Sequence, residues 1–138
     1  MSECLFCRIA AGALPSTGVY EDERYFCFMD IHPIASGHCL LIPKEHYQDV
    51  YAMPDELLGG LMIVAKRIAF AARAGLGAEG LNLIQSNGRA ASQIIDHYHL
   101  HLLPRWSGDK LRIGAWESSR AGDSEAINAA AEKIRGAL

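Results

Sequence analysis

Half of the six histidines fall within five residues, His97-Tyr98-His99-Leu100-His101, and Leu102-Leu103-Pro104-Arg105 follow at once. Alternation of this kind suits an extended chain, in which side chains two apart share a face at about 6 to 7 Å. The spacing predicts a strand over 97–103, ended by Pro104. Tyr98, Leu100 and Leu102 anchor it in a core, and three imidazoles stand in a row on the opposite face. Such a strand demands a sheet with two unlike faces, one covered by apolar elements and one carrying groups that titrate near neutrality. Three readings of the row compete: structural histidines, a metal site with an open water position, and nucleophilic catalysis by one neutral imidazole between oxygen-binding neighbours.

The apolar cover is found elsewhere in the chain. A long helix is expected over 54–74, with Pro54 at its first position and Asp55 and Glu56 at the positive end of its dipole. Leu57, Leu58, Leu61, Met62, Ala65, Ile68, Ala69 and Ala72 recur at helical spacing as its core face. Gly59-Gly60 inside this helix costs about 1 kcal/mol per residue against alanine, which suggests close approach of another backbone, such as a two-fold helix contact. Residues 3–11 read as a short helix stopped by Gly12. Residues 19–21, 25–29, 38–42 and 81–85 read as strands. Gly75, Gly77 and Gly80 break the chain before 81–85, and 86–92 is a polar loop. A last helix is capped by Asp123 or Ser124 and buries Ile127, Ala130, Ala131 and Ile134. The expected fold is α+β, an antiparallel sheet of five or six strands with the 54–74 helix on one face and the histidine row on the other.

The 138 residues carry a formal charge of -3, from 13 Lys and Arg against 16 Asp and Glu. That balance argues against a nucleic-acid polymer as partner, which needs many phosphates neutralised. A small phosphorylated molecule needs only a few local donors. The longest apolar stretch, 61–72, is interrupted by Lys66 and Arg67 and falls short of the ~20 residues that span a bilayer. The N-terminal sequence MSECLFCRIA lacks the features of a secretion signal, so a cytoplasmic location is expected. Of the four cysteines, Cys27 and Cys39 lie on expected strands and read as small core hydrophobes. Cys4 and Cys7 form a CxxC pair, half of a tetrahedral zinc set that two histidines would complete, with His46 one candidate.

Taken in order, Cys4-Leu5-Phe6-Cys7-Arg8-Ile9, Tyr20-Glu21-Asp22-Glu23, Phe28-Met29-Asp30-Ile31-His32-Pro33, Gly37-His38 through Pro43-Lys44-Glu45-His46, Asn87-Gly88, Gln93 and His97 through Arg105 resemble the histidine triad (HIT) family, and within it the Hint-like small nucleotide hydrolases. The resemblance implies a single HIT domain, with the core about 3–105 and a C-terminal extension with a helix over 106–138. It implies a structural zinc on Cys4, Cys7, His46 and His97. It makes His99 the nucleophile that attacks the α-phosphorus of a nucleotide and forms a nucleotidyl-histidine, flanked by His101 and His38. Asp30 is implied as the ribose ligand, and Phe6, Ile9, Phe28, Ile31 and Leu40 as the base slot. Ser86, Asn87 and Gln93 fall near the phosphate. Also implied are a small AMP-like substrate and a homodimer, with Trp116 matching a C-terminal Trp near the partner's site. His32 has no role in the pattern.

Two positions depart from it. Ser86 stands where the family generally has Asn or Gln, and Ile94 stands where most Hint-like members carry a Ser or Thr donor near the leaving group. The expected activity is hydrolysis or transfer at the α-phosphate of purine nucleoside phosphoramidates or dinucleoside polyphosphates. The alternatives are a nucleotide-binding regulatory protein with little turnover and a metal-dependent hydrolase.

Overall fold

The computed structural model describes residues 4–113 and 121–138. Its elements run α1 (Leu5–Ala10), β1 (Gly18–Glu21), β2 (Tyr25–Met29), β3 (Cys39–Pro43), α2 (Asp55–Leu76), β4 (Gly80–Ile84), a 3₁₀ turn (Arg89–Ala91), β5 (Leu100–Arg105) and α3 (Ser124–Gly136). The strands form one five-stranded sheet in the order β1-β2-β3-β5-β4, and every neighbouring pair is antiparallel. The acidic turn between β1 and β2 is closed by Asp22, which accepts from the backbone N–H of Arg24 and of Tyr25, both at 2.8 Å. Tyr20 Oη donates to its other carboxylate oxygen at 2.6 Å.

Alternation along the central strands produces the two expected faces. Cys27, Cys39, Leu41, Tyr98, Leu100 and Leu102 pack with Leu61, Ile68 and Ile134 beneath α2 and α3. Phe28, Leu40 and Ile42 point the other way and pack with Phe6 of α1. Cys27 and Cys39 are buried in the first core, as their strand positions predicted.

The structure corrects several boundaries. The strand expected over 97–103 begins only at Leu100 and runs through Pro104 to Arg105. Proline is tolerated there because the Glu79 N–H donates to the Arg105 carbonyl, so the polar groups of Arg105 face β4 and those of Pro104 face the other edge. On that edge β3 pairs with β5 only as far as Leu102. Pro54 is the N-cap of α2, with extended backbone, rather than its first helical residue. Gly75 lies inside α2, which is closed by Gly77 at φ 68°. Met62 is exposed, and Val64 and Ala71 are buried on the core face instead.

Within the chain, only one member of the glycine pair has a close neighbour. A Cβ on Gly60 would overlap the Tyr25 hydroxyl, which donates to the Leu57 carbonyl at 2.7 Å, while one on Gly59 would meet open space. Within the chain, two helix backbones approach closely at Gly75, where a Cβ would overlap the carbonyl oxygen of Lys133 in α3. Gly60→Ala is therefore expected to destabilise the protein by about 1–3 kcal/mol, as overpacking does. Tyr25→Phe in the same chain should recover part of that loss, because the ring carbon left nearest lies 3.3 Å from the new methyl. Urea unfolding of the two single variants and the double variant checks the pair.

Candidate active site and metal centre

His99 lies just ahead of β5, 7% exposed, with its Nδ1 2.7 Å from the backbone carbonyl oxygen of His97. A carbonyl only accepts, so Nδ1 carries the proton and Nε2 presents a lone pair. The ring is flanked by Phe6 and His101, each with its centroid at 5.1 Å. His38, fully buried before β3, accepts the Ile34 N–H at Nδ1 (3.3 Å), which places its own proton on Nε2. That Nε2 lies 2.9 Å from His101 Nδ1 and 3.4 Å from an Asp30 carboxylate oxygen. With Nδ1 of His101 accepting, the proton of neutral His101 falls on Nε2. The fixed tautomers thus leave a lone pair on His99 Nε2 and a donor on its neighbour His101.

Burial dominates the electrostatics of the row. It pushes His38 down to about 4 and His101 down to about 3, and lowers His99, so all three imidazoles are neutral at pH 7. For His38 the unfolded chain, with its ordinary value of 6.5, takes the proton first as pH falls. Its stabilising share is complete above about pH 6.5 and drains away as pH drops through 4, a loss of about 3 kcal/mol by linkage. Urea unfolding of the metal-saturated protein at pH 7 and pH 4.5 measures it. His38→Asn should show a correspondingly smaller fall.

Four ligand atoms converge on the other side of His97. Cys4 Sγ and Cys7 Sγ lie 3.4 and 3.5 Å from His97 Nδ1, and Cys7 Sγ lies 3.3 Å from His46 Nδ1. All four ligand atoms fall within 4.8 Å of one another. These gaps suit ligands arranged tetrahedrally about zinc at the usual bond lengths of about 2.0–2.3 Å. His97 Nε2 donates to the Pro43 carbonyl at 2.8 Å, which leaves Nδ1 as the lone pair for a metal and supplies the second-shell hydrogen bond that such ligands use. The residues fit zinc, and the α1 N-cap forms part of the site, because Cys4 Sγ accepts the Cys7 N–H. Asp30, His38 and His101 also cluster. A metal on His38 Nε2, however, would force a proton onto Nδ1 against the Ile34 N–H, so this tautomer does not fit a metal there.

Around the row, Asp30 accepts the His32 N–H at 2.8 Å with one oxygen and faces His38 with the other. His32 itself is exposed. Phe6, Phe28 and Leu40 share one apolar cluster with Ile9 at its edge, whereas Ile31 is 64% exposed. The loop from β4 to β5 is held by amides whose role the sequence did not disclose. Gln93, fully buried, accepts the Gly88 N–H and donates to the carbonyls of Gln48 and Ile95. Asn87 accepts the Val50 N–H at 2.7 Å and pairs reciprocally with Gln85. Half-buried Ser86 offers its carbonyl to the Gln85 amide. Ser92 turns the loop at φ 69°, and Ile94 beyond it is 74% exposed. These brackets, and the Ile34 N–H that sets the His38 tautomer, were missed because a single sequence gives no sign of which backbone groups a side chain will meet. Trp116 lies outside the described residues.

A neutral imidazole with its lone pair on Nε2 beside an imidazole donor, on the α1 side of an antiparallel sheet and next to a Cys₂His₂ cluster, defines a class of small histidine-rich α+β proteins. The HIT domain model matches residues 11–108, and the chain belongs to the HIT family. It is similar to an adenosine 5′-monophosphoramidase of Candida albicans, 33% identical over 138 residues, covering 97% of this chain and 90% of that one. An adenylylsulfatase of Arabidopsis thaliana is 34% identical over 117 residues, 80% of this chain and 59% of that protein. A zinc-bound histidine triad family protein from Mycobacterium smegmatis superposes with a TM-score of 0.88 at 39% identity, covering 99% of this chain and 93% of that one. The fold is thus that of the HIT proteins, and the relatives support nucleotide hydrolase activity.

Proposed function

We propose that this protein hydrolyses nucleotides at the α-phosphorus through a covalent nucleotidyl intermediate on His99, releasing a nucleoside monophosphate. The observation that carries the reading is the His99 tautomer: Nδ1 is tied to the His97 carbonyl, so Nε2 holds the lone pair that phosphorus needs. His101 and His38 act beside it on the phosphate oxygens and the leaving group. Asp30 binds the ribose hydroxyls, and Phe6, Ile9, Phe28, Ile31 and Leu40 form a slot for a purine. Gln93 and Asn87 act by holding the loop whose Ser86 lies nearest the phosphate in the family pattern. Zinc on Cys4, Cys7, His46 and His97 is structural, fastening α1 to the segment that carries His99.

The substrate class is a purine nucleoside phosphoramidate or a dinucleoside polyphosphate, both of which present the same α-phosphorus. The working unit is a homodimer, formed over the exposed Met62, Ile63 and Phe70 of α2 and Leu83 of the edge strand β4. A centre built on two thiolates suits a reducing compartment, the cytoplasm. No helix among the described residues is long and apolar enough to cross a membrane.

The deciding experiment incubates the zinc-loaded protein with adenosine 5′-phosphoramidate, quenches in acid and takes the intact mass. A transient species one adenylyl group heavier, absent in His99→Ala, supports the reading, and AMP release without any adduct overturns the covalent route. The second reading, a nucleotide-binding regulator with little turnover, is favoured by exposed Ile94 and by the internal engagement of the Asn87 and Gln93 amides. Tight AMP binding without turnover would select it. Ile94→Ser restores a hydroxyl near the leaving group and is expected to raise phosphoramidase kcat by about 10- to 100-fold, somewhat below the loss seen when an oriented donor is deleted. Steady-state kinetics on two leaving groups checks the size and the preference.

A further inference from the structure

The tautomers that make His99 a nucleophile create a difficulty for its neighbours. His38 and His101 have four ring nitrogens, and in the neutral pair two carry protons: His38 Nε2, directed at His101 Nδ1 at 2.9 Å, and His101 Nε2. If neutral His101 gives its Nε2 proton to a leaving group, no proton remains on that ring unless His38 surrenders its own. A working acid therefore needs a third proton on the pair. His38 Nδ1 cannot take it while accepting the Ile34 N–H at 3.3 Å. The remaining position, His101 Nδ1, sets two N–H groups against each other across 2.9 Å.

The Asp30 carboxylate resolves that conflict. One of its oxygens lies 3.4 Å from His38 Nε2, and the ligand atoms of Asp30, His38 and His101 all fall within 4.8 Å of one another. Resting on the nucleotidyl-histidine reading, we propose that, once the substrate's phosphate adds its negative charge beside a pair that is neutral in the free protein, Asp30, besides holding the ribose, is the acceptor and counter-charge that lets the His38–His101 pair carry a third proton. His101 Nε2 then delivers a proton to the leaving group. Both facing N–H groups turn to the carboxylate instead of to each other.

The cycle balances. His99 Nε2 bonds to phosphorus as the bond to the leaving group breaks, the leaving group takes the proton from His101 Nε2, and the pair becomes neutral. Water then attacks phosphorus, the bond to His99 breaks, and the water proton returns to His101 Nε2. The titratable groups facing the pair among the described residues are Asp30 at the end of β2 and His99 ahead of β5. Burial and the other two histidines push protons off His101, and among the described residues Asp30 draws one on. Asp30 is thus a positioning residue for the proton as well as a ribose ligand.

The test separates the two roles by removing the ribose hydroxyls. Asp30→Asn retains an oxygen for the His32 N–H, so the turn keeps its hydrogen bond. Wild type and Asp30→Asn, zinc-loaded, are compared on 2′,3′-dideoxyadenosine 5′-phosphoramidate. The proposal expects the variant to lose about tenfold in kcat on this substrate at neutral pH, the counterpart of a displacement of about one pH unit in the titration of the pair. The same displacement toward lower pH should appear in the histidine NMR titration of the complex with 2′,3′-dideoxyadenosine 5′-monophosphate, and Asp30→Glu should recover part of it. Equal kcat on the dideoxy substrate together with unshifted NMR titration overturns the proposal and leaves Asp30 with the ribose alone. If neither protein turns over any phosphoramidate, it is the functional reading that fails, and the NMR titration still decides the proton claim.

Discussion

Replacing His99 by alanine is expected to lower turnover of adenosine 5′-phosphoramidate by about 10⁴-fold or more, the scale seen when a covalent nucleophile is deleted while the rest of its machinery stays in place. The fold should not suffer to match. The ring makes one hydrogen bond, to the His97 carbonyl, and contacts Phe6 and His101 at its edges, so its removal opens a small pocket at the border of the sheet face. The expected signature is a variant with near-native unfolding behaviour, undiminished AMP binding and no covalent adduct. His99→Gly with added imidazole provides a sharper form of the test. Exogenous imidazole should restore AMP release through a diffusible adduct if nucleophilic attack is the role of His99. Full activity in either variant would remove His99 from the chemistry.

Loss of the metal should be the largest perturbation of stability. A structural zinc contributes on the order of 10 kcal/mol to folding in small domains, comparable to the whole stability of most proteins. Chelation, or Cys7→Ser, is therefore expected to lower the melting temperature by tens of degrees or to prevent folding. Activity should disappear in step with the circular-dichroism signal. A catalytic metal behaves otherwise, with activity vanishing at once while the fold persists. On the proposed reading the damage from zinc loss should also reach His99 before global unfolding, because His97 belongs to the Cys₂His₂ cluster and also tethers His99. Its ring faces the thiols through Nδ1, and its carbonyl fixes the His99 tautomer.

What could be read from the chain beforehand was whatever depends on local spacing. The alternation of Tyr98, Leu100 and Leu102 against His99 and His101 gave the two faces of the sheet correctly, because a period of two is a property of extended backbone whether or not it is hydrogen-bonded into a ladder. For the same reason the strand's start was misplaced, since only pairing with β3 and β4 decides where the ladder begins. The helical stripe of α2 was mostly right, and Met62 was wrong because a helix of 22 residues offers more apolar positions than the sheet beneath it covers. Gly59 and Gly60 look identical in sequence, yet only Gly60 meets Tyr25, from 35 positions away. In the site, the residue types were legible and the proton positions were not. Those depend on Ile34 N–H and on the carbonyls of His97 and Pro43, which every residue possesses and no motif encodes.

The last helix has a bearing on how the molecule is made. Thr17 Oγ1 donates to Asn128 Oδ1 at 2.9 Å, Arg135 donates to the Gly18 carbonyl, and the backbones of α2 and α3 meet at Gly75 and Lys133. Residues near the two ends of the chain thus share one core, with Ile127, Ala130, Ala131 and Ile134 filling it. During synthesis the first strand pairs with β2 at once but must wait for more than a hundred further residues before α3 exists to pack on it, which places this contact among the slow, non-local ones. An intermediate lacking α3 holds the histidine row with α2 already packed on the sheet and only the part of the core that α3 fills still open to solvent. Completion of this core thereby waits for α3, and truncation ahead of Ser124 would leave the apolar face that α3 covers exposed for the cell's chaperones to find.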